Sequence, residues 1–329
     1  MSLEIIIGGD YFMKAVVVYE TGGPDKLVYT DVAKPQIKPG WSLVKVKGFG
    51  INHSEIFTRR GDSPSVKFPR ILGIECVGMI EETTDPQRLP VGQKVISIMG
   101  EMGRDFDGSY AEYTLLPNAQ IYPVDTDLDW ETLVTIPETY YTAYGSLLNL
   151  KLSGKDQVLV RGGSSGVGVA FTKLAKGIYP EIEVTGTTRQ MAKADDLRKF
   201  GYDQIIVDHM GCLQTELKFD KILELIGPAT VKDSFKHLNE GGIICSTGQL
   251  GDQWYLDNFD PIMDIAPNSY LTSFYSDNVD EFKLNKMIKL IEEYNIDVKP
   301  QKVFELQHVN QAHEYLESGK SLGKVIVLV

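Results

Sequence analysis

The sequence predicts an α/β protein in two parts, a mostly β barrel and a doubly wound parallel sheet. Three observations carry this expectation. Short strand-like runs separated by Gly, Pro and Asp fill residues 14–129, strands alternate with helical stretches from Trp130 onward, and a glycine-rich loop lies between a strand and a helix at residues 162–168. With 329 residues and 43% hydrophobic content, the chain has apolar material for two cores, and its length favours two domains.

Residues 1–12, MSLEIIIGGDYF, lack a basic n-region and a small-residue cleavage site, so they read poorly as a signal peptide. The strand-like MKAVVVYE begins at Met13, and Gly8-Gly9-Asp10 is encodable as a purine-rich ribosome-binding sequence. The segment is therefore read either as a non-native leader before a Met13 start or as an edge strand over 4–8. Further on, residues 41–47 alternate apolar and polar, as a half-buried strand does. Gly22-Gly23-Pro24, Lys38-Pro39-Gly40 and Val91-Gly92-Gln93 supply turn signals.

The rhythm changes after Trp130. Gln157–Arg161 is a short apolar strand, followed by the glycine loop and a helical pattern over 167–176. Strands over 181–188, 204–208, 220–226 and 242–246 alternate with helices over 191–200 and 230–238, which indicates a parallel sheet with right-handed crossovers. A strand over 270–275 comes next. An amphipathic helix over 279–294 carries Val279, Phe282, Ile288 and Ile291 as its apolar face, with Asp280 and Glu281 in its first turn. A helix over 310–317 and a strand over 324–329 close the chain.

Composition narrows the function classes. A net charge of −12 provides no basic face for nucleic acid. No apolar run approaches the length of a membrane span. Cys76, Cys212 and Cys245 are far apart and form no CxxC, which fits a reducing, cytoplasmic compartment and supplies neither a disulfide framework nor a zinc cluster.

The central chemical signal is Val158-Leu-Val-Arg-Gly162-Gly163-Ser164-Ser165-Gly166-Val167-Gly168. A strand feeding a glycine loop that opens a helix places free N–H groups and the positive helix end where a pyrophosphate can bind. The loop departs from strict GxGxxG, because Ser165 stands at the middle glycine position; the alternative reading is a structural turn. The next strand ends in Thr187-Thr188-Arg189, with Lys193 beyond it. A carboxylate there would bond ribose hydroxyls and repel a 2′-phosphate, whereas Arg189 can pair with one bidentately. The expected cofactor is NADPH, held by Gly163, Ser164, Ser165, Gly166, Val167, Gly168, Thr187, Thr188, Arg189, Lys193, Thr247 and Gly248. The alternative for Arg189 and Lys193 is that of solvated charges at a helix start.

Read together, these residues resemble the medium-chain dehydrogenase/reductase superfamily and, within it, the zinc-free quinone oxidoreductases related to zeta-crystallin. The resemblance runs from Met13 to Val329 through Gly50-Ile51-Asn52, Arg59-Arg60-Gly61, Gly73-Ile74-Glu75, Val77-Gly78, the run from Asp107-Gly108 to Tyr113, Thr142-Ala143-Tyr144, the glycine loop and Gly323-Lys324-Val325. It implies a GroES-like β-barrel catalytic domain over 13–129 and 265–329, a Rossmann dinucleotide-binding domain over 130–264, and a homodimer formed through the nucleotide domain's edge strand.

Zinc members of the superfamily use a Cys, a His in Gly-His-Glu, and a later Cys or carboxylate; the matching positions here are Asn52, Ile74 and the vicinity of Glu138. Asn and Ile cannot supply the thiolate and imidazole of tetrahedral zinc, so no metal is expected. The resemblance implies that the amide of Asn52 donates to a substrate oxygen gaining charge. Phe57 stands where quinone reductases commonly have Tyr. Phe57, Phe106, Tyr140, Tyr141 and Phe274 are candidate pocket walls, each with core packing as its alternative. Arg59 or Arg60 would order a loop, contact phosphates or form a surface ion pair, and His53 is read as structural. The expected activity is NADPH-dependent, zinc-independent reduction of quinones or α,β-unsaturated carbonyls. The alternatives are an NADPH-binding sensor or scaffold with little turnover, and zinc-type alcohol oxidation.

Overall fold

Strand Trp41–Gly50 shows how the first part of the chain assembles. The computed structural model describes residues 11–329, so the leader reading lies outside the described residues apart from Tyr11 and Phe12, the second of which opens strand Phe12–Val18. Trp41–Gly50 pairs with Glu75–Glu82, Tyr113–Pro117 and Val325–Leu328, all antiparallel. Covered this way, its Ser42, Leu43 and Val44 are consecutively buried, where alternation predicted a half-buried strand. Register shifts at Leu43/Val44 and Val46/Gly48 break the alternation, as bulges do. The sheet continues through Lys94–Ile98 to Tyr122–Pro123 on one side and to Lys302–Glu305 on the other. A second, three-stranded sheet runs Leu27–Ala33, Phe12–Val18, Arg70–Ile71. Their shared core holds Val16, Val44, Phe49, Cys76, Leu116 and Val325.

In the second part, the sheet order is Cys212–Leu213, Gln204–His209, Glu183–Thr188, Gln157–Arg161, Phe219–Glu224, Leu238–Ser246, Tyr270–Ser273. Every pairing is parallel except that of the short Cys212–Leu213. The chain begins at the central Gln157–Arg161, proceeds outward on one side, then resumes on the other, which creates a switch point beside that strand. Because both faces are covered, Val158, Leu159 and Val160 are fully buried.

The units divide at Pro137 and Glu138, and the chain rejoins the first unit at Lys302, with residues 320–324 belonging to the second. This differs from the boundaries expected at 129 and 265. Tyr270–Ser273 finds its hydrogen-bond partners on Leu238–Ser246, so it completes the parallel sheet. Helix Glu281–Glu293 follows in the same unit, with Asp280 as its N-cap accepting from the Lys283 N–H at 3.0 Å. Its buried face is Leu284, Met287, Ile288 and Ile291, whereas Phe282, expected there, is 78% exposed. Among the described residues no helix is long and apolar enough to cross a membrane.

Candidate functional site

The glycine loop leaves Gln157–Arg161 at the switch point. Gly162 has φ +91°, a conformation that favours glycine, and its N–H donates to Thr187 Oγ1 at 3.0 Å. Ser165 is the N-cap of helix Gly166–Ile178: its Oγ accepts from the Gly168 N–H at 3.1 Å and donates to the Gly162 carbonyl at 2.8 Å. The departure from GxGxxG therefore has a physical reason, because the hydroxyl caps the helix that the loop opens. The close approach is tight: a Cβ on Gly168 would lie 2.8 Å from the Gly162 carbonyl oxygen, and one on Gly163 would lie 3.1 Å from the Thr187 backbone. First-turn N–H groups at Gly166 and Val167 have no partner within the helix and are the groups a pyrophosphate would meet. The Thr247 and Gly248 N–H groups donate to the Glu224 carbonyl at 2.9 and 3.3 Å. Parallel strands put the glycine loop, Thr187 to Lys193, and Thr247-Gly248 along one edge of the sheet. This loop fits a dinucleotide.

Two of the expected contacts are committed elsewhere. Thr187 is 2% exposed and its hydroxyl holds Gly162, while the buried Thr188 hydroxyl closes a turn with both backbone groups of Gln190 at 3.1 Å. They shape the loop and do not face the sheet edge as free hydroxyls. Arg189 is exposed and has no carboxylate partner among the described residues. Lys193 is half-buried, and its ammonium is held below the ordinary lysine value by burial first and by the charge of Arg189 second.

Beneath the loop lies a network that the sequence reading missed. Arg161 is fully buried and donates from Nε to Asp208 at 2.8 Å, from Nη1 to Ser234 Oγ at 2.9 Å and the Thr230 carbonyl at 3.0 Å, and from Nη2 to the Gly211 carbonyl at 2.8 Å; Asp233 lies 3.0 Å from Nη2. Glu224 sits opposite Arg161 in the sheet register and accepts from the Ile226 and Gly227 N–H groups and from Thr230 Oγ1 at 2.9, 3.1 and 3.0 Å. Burial pushes the Glu224 carboxyl upward, opposed by the charge of Arg161 and by the Ser234 hydroxyl. A signal was present: a cation closing an apolar, doubly covered strand requires buried acceptors.

In the first unit, Asn52 is the N-cap of helix His53–Arg60, and Gly61 at φ +99° ends it. Glu55, the third helical residue, accepts from the Asn52 N–H at 3.1 Å, completing a capping box. The Asn52 side-chain amide points to Glu75 Oε1 at 3.0 Å and to Glu55 Oε1 at 3.4 Å. Both carboxylates are buried, at 0% and 1% exposure, and Glu55 also accepts from the Ile74 N–H at 3.1 Å. The amide expected to meet a substrate oxygen thus directs its hydrogens at two carboxylates. Nearby, Arg104 Nη2 donates to Ser54 Oγ at 2.6 Å.

The remaining expectations sort by location. Arg59 is buried and pairs with Glu317 at 2.8 and 2.9 Å, and Arg60 pairs with the same carboxylate at 2.6 Å, so both tie helix His53–Arg60 to helix Val309–Glu317. Arg59 also lies 3.4 Å from His313, whose imidazole is held down to about 3 by burial, then by the charges of Arg59 and His53; its Nε2 meets the Tyr110 hydroxyl at 2.9 Å. His53 is half-buried with its ring 6.3 Å from Phe57. Phe106 packs edge-on against Trp41 at 5.1 Å and lines a cleft of about 510 Å³ with Met13, Val17, Arg70 and Tyr113, a lining that contains neither Asn52 nor Phe57. In the second unit, Tyr140 and Tyr141 are core residues at 3% and 0% exposure, and burial raises both phenols. The Tyr141 hydroxyl accepts from the Asp280 N–H at 2.8 Å, and Phe274 covers Gly145 so closely that a Cβ there would lie 2.1 Å from its ring. Tyr140 and Tyr141 are therefore not open pocket walls; aromatic bulk buried this fully serves packing.

The zinc positions fail on chemistry. Asn52 bonds carboxylates, Ile74 is buried and apolar, and Glu138 accepts from Thr142 at 2.9 Å and Ser276 at 2.7 Å. Asn52 and Ile74 offer neither the thiolate nor the imidazole of a tetrahedral zinc site, so these two positions do not fit zinc.

Residues 38–126 match the alcohol dehydrogenase GroES-like domain, and residues 200–327 match the family described as zinc-binding dehydrogenase. Human quinone oxidoreductase is 29% identical over 74% of this chain and 75% of its own length. The chloroplastic NADPH-dependent alkenal/one oxidoreductase of Arabidopsis thaliana is 26% identical over 96% of this chain and 79% of its own. The quinone oxidoreductase structure from Coxiella burnetii aligns at TM-score 0.82 and 24% identity over 97% of this chain and 99% of that one. The chain thus carries a GroES-like domain and a Rossmann domain, the fold of the medium-chain dehydrogenases/reductases, and is similar over most of its length to quinone oxidoreductases.

Proposed function

We propose that this protein is an NADPH-dependent, zinc-independent reductase of quinones or α,β-unsaturated carbonyls, acting as a cytoplasmic homodimer. The observation that carries the reading is the capped glycine loop with a cationic pair, Arg189 and Lys193, at the end of the next strand. When bound, the nicotinamide supplies a hydride. The chain's own residues bind and orient. Gly163 and Gly168 admit the pyrophosphate, the first turn of helix Gly166–Ile178 donates to it, and Arg189 with Lys193 favours a 2′-phosphate over a bare ribose. Zinc independence is supported by the substitution of two ligand positions by Asn52 and Ile74. A cytoplasmic setting agrees with three cysteines in thiol form, one of them, Cys212, exposed.

A second reading, NADPH sensing with little turnover, is favoured by one observation: the Asn52 amide is directed at Glu55 and Glu75. One assay separates the readings. NADPH and NADH consumption is followed over quinones, enones and alcohols, with and without chelator. The reductase reading expects NADPH-linked turnover of quinones or enones that chelator leaves intact. Tight NADPH binding without turnover of any class supports the sensor, and chelator-sensitive alcohol oxidation overturns both.

A further inference from the structure

Resting on the reductase reading, we propose that Arg104 is a catalytic residue whose guanidinium donates to the substrate carbonyl oxygen as that oxygen gains negative charge. A reduction without a metal ion needs a donor for this charge, and a donor already fixed on carboxylates serves poorly. Asn52 is in that position, since its amide faces Glu75 at 3.0 Å and Glu55 at 3.4 Å. Two carboxylates beside an incoming anion oppose it, and a cation in the same cluster offsets that repulsion.

Arg104 is such a cation. Its Nη2 donates to Ser54 Oγ at 2.6 Å, two residues past Asn52, while its Nε is shielded from solvent and has no hydrogen-bond partner. Among the described residues it has no carboxylate partner, although the chain holds 45 acidic residues against 33 Lys and Arg. The side chain is half-buried, so a substrate can reach it. The backbone that carries it is held unusually. Met99 and Glu101 have φ of +57° and +65°, a region that residues with a Cβ rarely occupy, and strain of this kind persists where surrounding bonds enforce it. The Met99 N–H donates to the Ile74 carbonyl at 2.6 Å and the Arg104 N–H to the Glu101 carbonyl at 3.0 Å. The same Ile74 gives its own N–H to Glu55, so loop, carboxylates and helix start form one bonded cluster.

Guanidinium stays protonated and gives no proton to the substrate; it lowers the cost of the charge by hydrogen bonding. The substitution Arg104→Met should lower kcat roughly ten- to a thousandfold, as loss of an oxyanion donor does. Arg104→Lys should restore part of it, and NADPH affinity should be unchanged in both. A binding measurement is independent of turnover: 4-nitrophenol, titrated spectroscopically against the protein, should bind as phenolate, with its ionisation shifted to lower pH by wild type and not by Arg104→Met. Absence of that shift in wild type, its persistence in Arg104→Met, or full kcat in a folded Arg104→Met overturns the assignment. An Arg104-dependent shift in a protein that turns over neither quinones nor enones overturns the reductase reading and leaves Arg104 as an oxyanion site.

Discussion

Arg189 and Lys193 repel one another, and burial adds to the cost of keeping Lys193 charged. A 2′-phosphate would offset both effects by pairing with the two cations. The expected outcome for Arg189→Ala is a loss of NADPH affinity of roughly tenfold to a hundredfold, the size of one charge-assisted bond, with NADH affinity scarcely moved. Equal wild-type affinities for the two cofactors, measured by fluorescence titration, would remove the pair from recognition. A pH dependence follows with a definite sign. The Lys193 value in the protein without ligand lies below 10.5, and a bound phosphate raises it, so NADPH binding takes up a proton. The ratio of NADPH to NADH affinity should therefore fall as pH rises through the depressed lysine value, beginning below the range of a free lysine. A pH-independent ratio contradicts this. The cationic pair was legible because a missing acid is visible in one sequence. The commitments of Thr187 and Thr188 were not, since a hydroxyl's partner depends on which strand lies alongside.

At the level of elements, Ser165 and Arg161 explain why the loop stands as it does. Ser165 caps helix Gly166–Ile178 through its hydroxyl. Ser165→Ala should cost about 1 kcal/mol in urea unfolding, whereas Ser165→Gly should cost only a few tenths. Equal effects would deny the cap its role. Arg161 joins the end of its own strand to strand Gln204–His209 through Asp208 and to helix Val231–Lys236 through Ser234 and Asp233. Arg161→Leu leaves buried carboxylates without their cation and should cost about 3–5 kcal/mol, with the loss largest where those carboxylates are ionised. Denaturant midpoints at two pH values check this, and a loss under about 1 kcal/mol would show the network to be dispensable. The strand and helix order of this region was readable from periodicity, because parallel strands covered on both faces must be apolar. The network was less readable: it is built from residues 161, 208, 224, 233 and 234, whose convergence exists only after the strands have been ordered. Asn52 was recognised by position, and its partner Glu55, three residues on, stands in the spacing of a capping box; Glu75 was not legible, because its approach depends on where strand Glu75–Glu82 packs against the start of helix His53–Arg60.

For the molecule as a whole, the strand at the sheet's end decides how copies could meet. Tyr270–Ser273 pairs with Leu238–Ser246 on one side, and no described strand lies on its other side. Unpaired backbone groups on an edge strand are a ready template for another chain, and Tyr270 and Leu271 beside them are 62% and 39% exposed. The expected boundary at 265 had placed this strand in the other domain, because after Gly248 the sequence loses the regular strand–helix spacing that marks the rest of the sheet. Its membership of the parallel sheet is what gives a dimer through this edge a physical basis. In the proposed dimer, two-fold symmetry would apply one substitution twice, and pairing through these edge strands would bring the two copies of Leu271 into the same region. Leu271→Lys then adds two like charges to an apolar contact, which opposes association from both sides. Light scattering over a concentration series should find wild type at twice the chain mass and Leu271→Lys at the chain mass, with the melting temperature of the separated subunits as a check on folding. A wild-type monomer at all concentrations, or a variant that keeps the doubled mass, would place the contact elsewhere or remove it.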